Sequence, residues 1–168
     1  MSVSKPDFMA LWNRYLTLSA GDKAALRKVA EPDELREFHA LYSLFPNGRA
    51  HDGWLRLAFL LPWCEDCGEE RREKCPKLGK LLAAGDVNEM RLFQVARAKS
   101  PNDIIQFRRL MIRLKHPTLN WDEVASLLYR SEHRPSEPAN TWAWSGKAKR
   151  QIVEDYYLAK FTPAKGDK

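Results

Sequence analysis

Apolar residues recur every three or four positions along almost the whole chain, the periodicity of amphipathic helices. Phe8, Leu11, Trp12, Tyr15 and Leu16 form a first stripe, with Pro6 near its first turn. Ser19 with Asp22 resembles a capping box before a short helix that holds Leu26 and Val29. Pro32 ends that helix, and Leu35, Phe38, Tyr42 and Phe45 mark the next one. Pro46-Asn47-Gly48 predicts a turn, after which Trp54, Leu57, Ala58 and Leu61 form a fourth stripe. Residues 62–76 predict a polar, cysteine-containing loop.

A short helix with Leu78, Leu81 and Leu82 follows, and Gly85 suits its C-terminal stop. In the second half Leu92, Phe93 and Ala96 predict a core-facing stripe. Ser100-Pro101-Asn102-Asp103 predicts a helix start, with a cap, a proline in the first turn and an acid at the third position. Asn120 with Glu123 repeats the capping-box logic before Val124 and Leu128. Residues 131–145 predict a proline-containing loop. Ile152, Val153, Tyr156 and Tyr157 line a last helix, and the end from Thr162 is expected to fray. No internal repeat and no strand alternation stands out. The expected class is all-α: two small helical bundles, 1–86 and 87–168, packed in an elongated subunit.

Composition narrows the class. The chain has 168 residues and is 44% hydrophobic, enough for a sizeable core. Six Trp, five Tyr and seven Phe exclude intrinsic disorder. The longest apolar run, Leu55 to Trp63, is broken by Arg56 and Pro62 and falls short of the roughly 20 residues of a membrane span. The N-terminal stretch lacks the apolar core of a secretory signal, and three cysteines do not make a disulfide framework. A reducing cytoplasm is the expected compartment.

Charge points toward a partner. The net charge is +6, and between Asn88 and His116 seven basic residues stand against two acids. They are Arg91, Arg97, Lys99, Arg108, Arg109, Arg113 and Lys115. Such an excess on helix faces is the footprint of a polyanion binder, although charge runs are also common on plain solvated faces. At 100° per residue, Asn102, Gln106, Arg109 and Arg113 share one face, and on the preceding helix Arg91, Gln94 and Arg97 share another. Arg108 and Lys115 instead fall within the apolar arc of Ile104, Ile105, Met111 and Leu114, where an arginine must snorkel, pair with an acid or meet a ligand. A guanidinium offers donors and no acceptor, which suits phosphate; nothing here has base-reading geometry. Arg27-Lys28 and Lys147, Lys149, Arg150 are smaller clusters whose value depends on lying on the same side.

Other chemistry finds less support. Cys64-x-x-Cys67 with Cys75 supplies three thiols, but a second ligand pair at metal spacing is missing, so reduced loop cysteines are expected and no metal or other cofactor is assigned. His39, His51, His116 and His133 show no catalytic spacing, and no Walker loop, G-x-S-x-G or H-E-x-x-H occurs. Trp142 and Trp144 suit packing better than base stacking. No enzymatic activity is expected. A helical nucleic-acid-binding module acting on its own accounts for these features, and a zinc-dependent or thiol enzyme is the other class.

Several blocks resemble one family. They are Arg27-Lys28-Val29 with Glu31-Pro32-Asp33-Glu34-Leu35-Arg36, Ala40-Leu41-Tyr42-Ser43-Leu44, and Asn88-Glu89-Met90-Arg91-Leu92-Phe93-Gln94. Gln106-Phe107-Arg108-Arg109-Leu110, Leu119-Asn120-Trp121-Asp122 and Gly146-Lys147-Ala148-Lys149-Arg150-Gln151 follow, with Glu154-Asp155. In this order they are similar to the CasB family, the small subunit of type I-E CRISPR Cascade surveillance complexes. The resemblance implies an all-helical, non-catalytic protein that sits in such a complex with other Cascade subunits and a second copy of itself. It implies contact with guide RNA and target DNA, and stabilisation of the R-loop and its displaced strand. It carries the nucleic-acid role to Arg27, Lys28, Arg91, Arg97, Arg108, Arg109, Lys149 and Arg150; Arg113 joins them from the helix face. The cysteine loop and residues 131–141 depart from the family pattern.

Overall fold

The computed structural model describes residues 6–46, 48, 50–99, 101–129 and 146–161, with the side chains of 146–149 left out. The α-helices are α1 (Phe8–Thr17), α2 (Ala20–Arg27), α3 (His39–Leu44), α4 (Asp52–Leu60) and α5 (Leu78–Ala84), then α6 (Glu89–Arg97), α7 (Asn102–Arg113), α8 (Trp121–Leu128) and α9 (Gly146–Phe161). Short 3₁₀ turns at Pro32–Glu37, Leu61–Trp63 and Glu69–Lys74 link them. The protein is mostly α, as the periodicity predicts.

The helix stripes become the core. Phe8, Leu11, Trp12 and Tyr15 are buried on α1, and Leu55, Leu57, Ala58, Phe59 and Leu60 make α4 apolar nearly all round, the mark of a central helix. Contacts run across residue 86. Trp12 meets Trp121 of α8 with ring centroids 5.7 Å apart, and the Trp121 indole N–H donates to the Phe8 carbonyl at 2.9 Å. Helix α5 packs on α9 in the most extensive helix pair. Gly79 permits that approach: a Cβ there would sit 2.3 Å from the Ile152 carbonyl oxygen.

Two caps form as expected, with Ser19 accepting from the Asp22 amide at 3.1 Å and Asn120 from the Glu123 amide at 3.3 Å. Other details differ from the sequence expectation. The stripe from Leu35 to Phe45 is not one helix: Phe38 is extended (φ −110°, ψ 136°) and separates a 3₁₀ turn from α3, leaving Tyr42 exposed. Gly85 does not take the left-handed stop; its φ is −84°, and Asp86 turns left-handed at φ 61°. What requires glycine at 85 is space, since a Cβ would collide with Leu114 at 1.9 Å. Phe93 is only half-buried, and Val95 takes the core position beside Leu92 and Ala96. The loop at 62–76 contains a two-residue strand, β1 (Glu65–Asp66), paired in parallel with β2 (Thr118–Leu119). Strands of two residues are too short to show alternation. The turn residue Asn47, Ser100 and the loop at 131–145 with Trp142 and Trp144 lie outside the described residues.

One polar pair is locked inside. Arg56 on α4 binds Asp103 on α7 through two bonds of 2.8 Å, and its Nε donates to the Leu128 carbonyl at 3.2 Å. Both residues are almost fully buried. Asp103 is thus more than a first-turn acid: it ties α7 to the central helix, and Oδ1 also accepts from the Ile104 amide at 2.8 Å.

Candidate nucleic-acid interface

Helices α6 and α7 pack side by side. Asn88 caps α6 by accepting from the Arg91 amide at 3.0 Å, which fixes the start of the helix and with it the face that carries Arg91 and Gln94. The anchor of α7 is Asp103, so Gln106 and Arg109 turn outward, one and nearly two turns further on. Between the helices lies an open groove of about 370 Å³ lined by Asn88, Met90, Arg91, Gln94, Gln106 and Arg109, floored by Val95 and Leu110. The groove thus brings together two arginines and two amides from two helices. Arg109 Nη1 donates to Gln106 Oε1 at 3.4 Å, which leaves the rest of its guanidinium fork directed outward.

The other predicted residues distribute around this centre. Arg113 is exposed one turn beyond Arg109. Arg97 lies over its own Phe93 ring at 5.0 Å and does not line the groove. Lys115 is not in the apolar arc, because α7 ends at Arg113 and Lys115 and His116 turn left-handed at φ 59° and 57°. It is exposed.

Arg108 does lie toward the interior. Its Nη1 donates to the Val29 carbonyl at 2.5 Å, and its guanidinium sits 4.3 Å from the Phe59 ring centroid and 5.9 Å from that of Trp63. Burial lowers its pKa below the usual arginine value; the adjacent Arg109 charge adds to that, and Glu34 opposes it. The same contact places the end of α2 next to α7, since Lys28 directly precedes the Val29 that Arg108 holds. Arg27 and Lys28 are exposed there. Arg27 also hydrogen-bonds Tyr15, whose hydroxyl burial pushes to a higher pKa against the lowering effect of Arg27. On α9, Arg150 is exposed; the Lys147 and Lys149 side chains are outside the described residues.

The cysteine loop is built around an ion pair the sequence does not announce. Arg72 grips both oxygens of Asp66 at 3.1 Å and reaches Asn120 Oδ1 at 2.8 Å, while Asp66 Oδ1 also accepts from the Trp121 amide at 3.0 Å. Cys64 is buried, its thiol directed to the Leu60 carbonyl, and burial raises its pKa. Cys67 and Cys75 are half-buried. Among the described residues no group of three or more His, Cys, Asp or Glu is arranged to hold a metal ion. No described helix is long and apolar enough to cross a membrane.

Comparison with known proteins supplies a relationship. No family model matches the chain. It is 33% identical over 163 residues to the CRISPR system Cascade subunit CasB of Escherichia coli (strain K12), covering 90% of this chain and 93% of that protein. Its fold is similar to a chain in a crystal structure of E. coli Cascade bound to a PAM-containing dsDNA target. The TM-score is 0.73 at 30% identity, covering 94% of this chain and 98% of that one.

Proposed function

The chain belongs to the CasB family, and from that premise we propose that it is a non-catalytic small subunit of an RNA-guided CRISPR surveillance complex. In this role it binds nucleic-acid backbone and stabilises the R-loop and its displaced strand. Its partners are the other Cascade subunits, guide RNA, target DNA and a second copy of itself. Guide pairing reads the sequence in such complexes, so a subunit of this kind needs charge and shape more than base recognition.

The observation that carries this reading is the groove between α6 and α7. Arg91 and Arg109 face it from opposite helices, with Gln94 and Gln106 beside them. Cationic forks and amide donors along a trough suit a phosphate chain, and no acid among the described residues lines it. Arg113 lies one turn beyond Arg109 on α7 and Arg97 ends α6, and we assign Arg27, Lys28, Lys149 and Arg150 to the same nucleic-acid contact. Arg108 is a positioning residue in this scheme: it joins α7 to the segment that follows α2 through the Val29 carbonyl.

The test is R-loop lifetime in complexes reconstituted with Arg91→Glu and Arg109→Glu together. The R-loop is expected to dissociate faster, with assembly and guide-RNA retention preserved. An unchanged lifetime in a normally assembled complex would remove the groove from the nucleic-acid path. Failure of the unaltered chain to assemble with Cascade subunits would remove the role itself.

A further inference from the structure

Phe93 puts an aromatic ring on the outside of α6. The apolar spacing predicts it in the core, yet it is half-buried and Val95 holds the core position. Among the described residues the other half-buried rings, Phe38, Phe45, Trp54, Trp63, Tyr129 and Tyr157, pack against the core cluster, and Phe93 does not. Its cover is Arg97, whose guanidinium lies 5.0 Å from the ring centroid. One turn toward the start of the helix Met90 is 71% exposed, a large apolar side chain facing water. At about 100° per residue Met90, Phe93, Gln94 and Arg97 fall on one arc of α6, opposite the buried Leu92 and Val95.

This arc runs into the α6–α7 groove. Met90 and Gln94 belong to both, and Arg91 and Arg109 line the groove beside them. A ring, a guanidinium and a thioether chain therefore stand next to a row of donors suited to phosphate. Rings and guanidinium planes bind a nucleobase through its face, which every base has, so such contacts tolerate any sequence.

We propose that Arg97, seated on Phe93, and the neighbouring Met90 form a stacking platform for the bases of single-stranded DNA whose phosphates follow the α6–α7 groove. The proposal rests on the reading of that groove as a nucleic-acid path, and it names the form of strand the path takes. In a duplex the bases stack on one another inside the double helix, and the platform meets none of their faces. In a single strand the bases are free to turn onto it, and stacking adds to the attraction of the arginines for phosphate. Phe93 holds the Arg97 guanidinium from one side by cation–π attraction. Arg97 is exposed, so its other side is open to a base. The unbranched Met90 chain adapts to the edge of whichever base lies beside it. Arg97 thus differs from Arg91 and Arg109: they act through charge, and it acts through the plane of its guanidinium.

The experiment titrates the full-length chain into two fluorescently labelled DNA strands of equal length, oligothymidylate and the same phosphate backbone with abasic sites throughout, over a range of salt. A duplex of matching length is the third probe. The unaltered chain should bind oligothymidylate roughly fivefold or more tighter than the abasic strand, the low end for one stacked base, with equal salt slopes for the two. Arg97→Lys keeps the charge and removes the plane. It should bring thymidylate binding down to the abasic level and leave the salt slope, the abasic affinity and the duplex affinity unchanged. Phe93→Leu keeps an apolar contact and removes the ring, and should act in the same direction, with circular dichroism as its folding control. Met90→Ala should give a smaller loss of the same kind.

Equal binding of the two single strands by the unaltered chain would overturn the platform and leave the groove standing. So would an Arg97→Lys chain that keeps its full preference for thymidylate, or one that loses duplex binding to the same degree. Absence of salt-dependent binding to all three probes would remove the groove, and the platform with it.

Discussion

Arg108 and Arg109 are neighbours in sequence, yet they belong to two different regions. Arg109 faces the α6–α7 groove with Arg91, while Arg108 is turned inward to Val29, Phe59 and Trp63. The inward side of α7 also carries Asp103, gripped by Arg56. The comparison teaches that a count of basic residues does not measure a binding surface. Each inward cation substitutes a protein partner for water and adds to the fold; each outward one retains donors for an external anion.

The strongest way to break the comparison is to remove the inward anchor. Asp103→Ala removes the carboxylate that the buried Arg56 guanidinium binds through two hydrogen bonds and should cost about 3–5 kcal/mol. Urea denaturation followed by circular dichroism measures it. Replacing both partners by apolar residues, Arg56→Met with Asp103→Leu, should recover much of the loss, because the penalty lies in stranding one charge. A double variant as unstable as the single one would show that the pair contributes more than mutual neutralisation.

The same pair marks the limit of what the sequence discloses. Helix stripes, the Ser19 and Asn120 caps and the mostly α class are legible because they depend on residues three or four apart. Arg56 and Asp103 are 47 positions apart, and Asp103 reads equally well as an ordinary first-turn acid. The break at Phe38 is hidden because its apolar neighbours keep helical spacing on both sides. The faces of Arg91 with Gln94 and of Gln106 with Arg109 are legible singly, but their meeting across a groove is set by how α6 and α7 pack. The inward course of Arg108 is signalled by its place in the apolar arc, while its partner Val29, 79 residues away, is not.

A smaller effect separates the two neighbours directly. Arg108→Ala removes a charge-assisted hydrogen bond and a cation–π interaction, for a cost of about 2 kcal/mol. Arg109→Ala should stay within about 0.5 kcal/mol, as exposed substitutions do. Paired melts of the two variants decide the point. Equal stabilities would mean that the inward interactions add nothing to the fold.

On the outward side the expected signal is electrostatic. The free chain should bind a single-stranded oligonucleotide weakly and without sequence preference. For each phosphate that Arg91→Ala or Arg109→Ala leaves without its cation, the log–log salt slope should become shallower by roughly 0.7. Titrations over a range of salt measure it. Slopes that stay the same in both variants would make the groove an ordinary solvated surface.

The last and smallest effect concerns a third arginine, Arg72, which sits between the two extremes with its side chain 23% exposed. Burial pushes the Asp66 carboxyl up, but the Arg72 guanidinium and the amides of Trp121 and Gly68 outweigh it and hold the carboxyl below its ordinary value of 3.8. A carboxylate whose folded pKa is depressed adds stability that is fully present above the ordinary value and fades as pH falls below it toward the folded pKa. Asp66→Asn removes that proton linkage and keeps the size of the side chain. The unaltered chain should therefore lose more stability than the variant between about pH 5 and about pH 3, with the gap opening only below 3.8. Urea midpoints at the two pH values measure it. The difference should be a fraction of the Arg108 effect, because several other carboxylates titrate in parallel and Arg72 keeps its hydrogen bond to Asn120. Parallel midpoints would show that the Asp66–Arg72 pair is worth no more to the fold than an exposed ion pair, and would place Arg72 with the outward arginines.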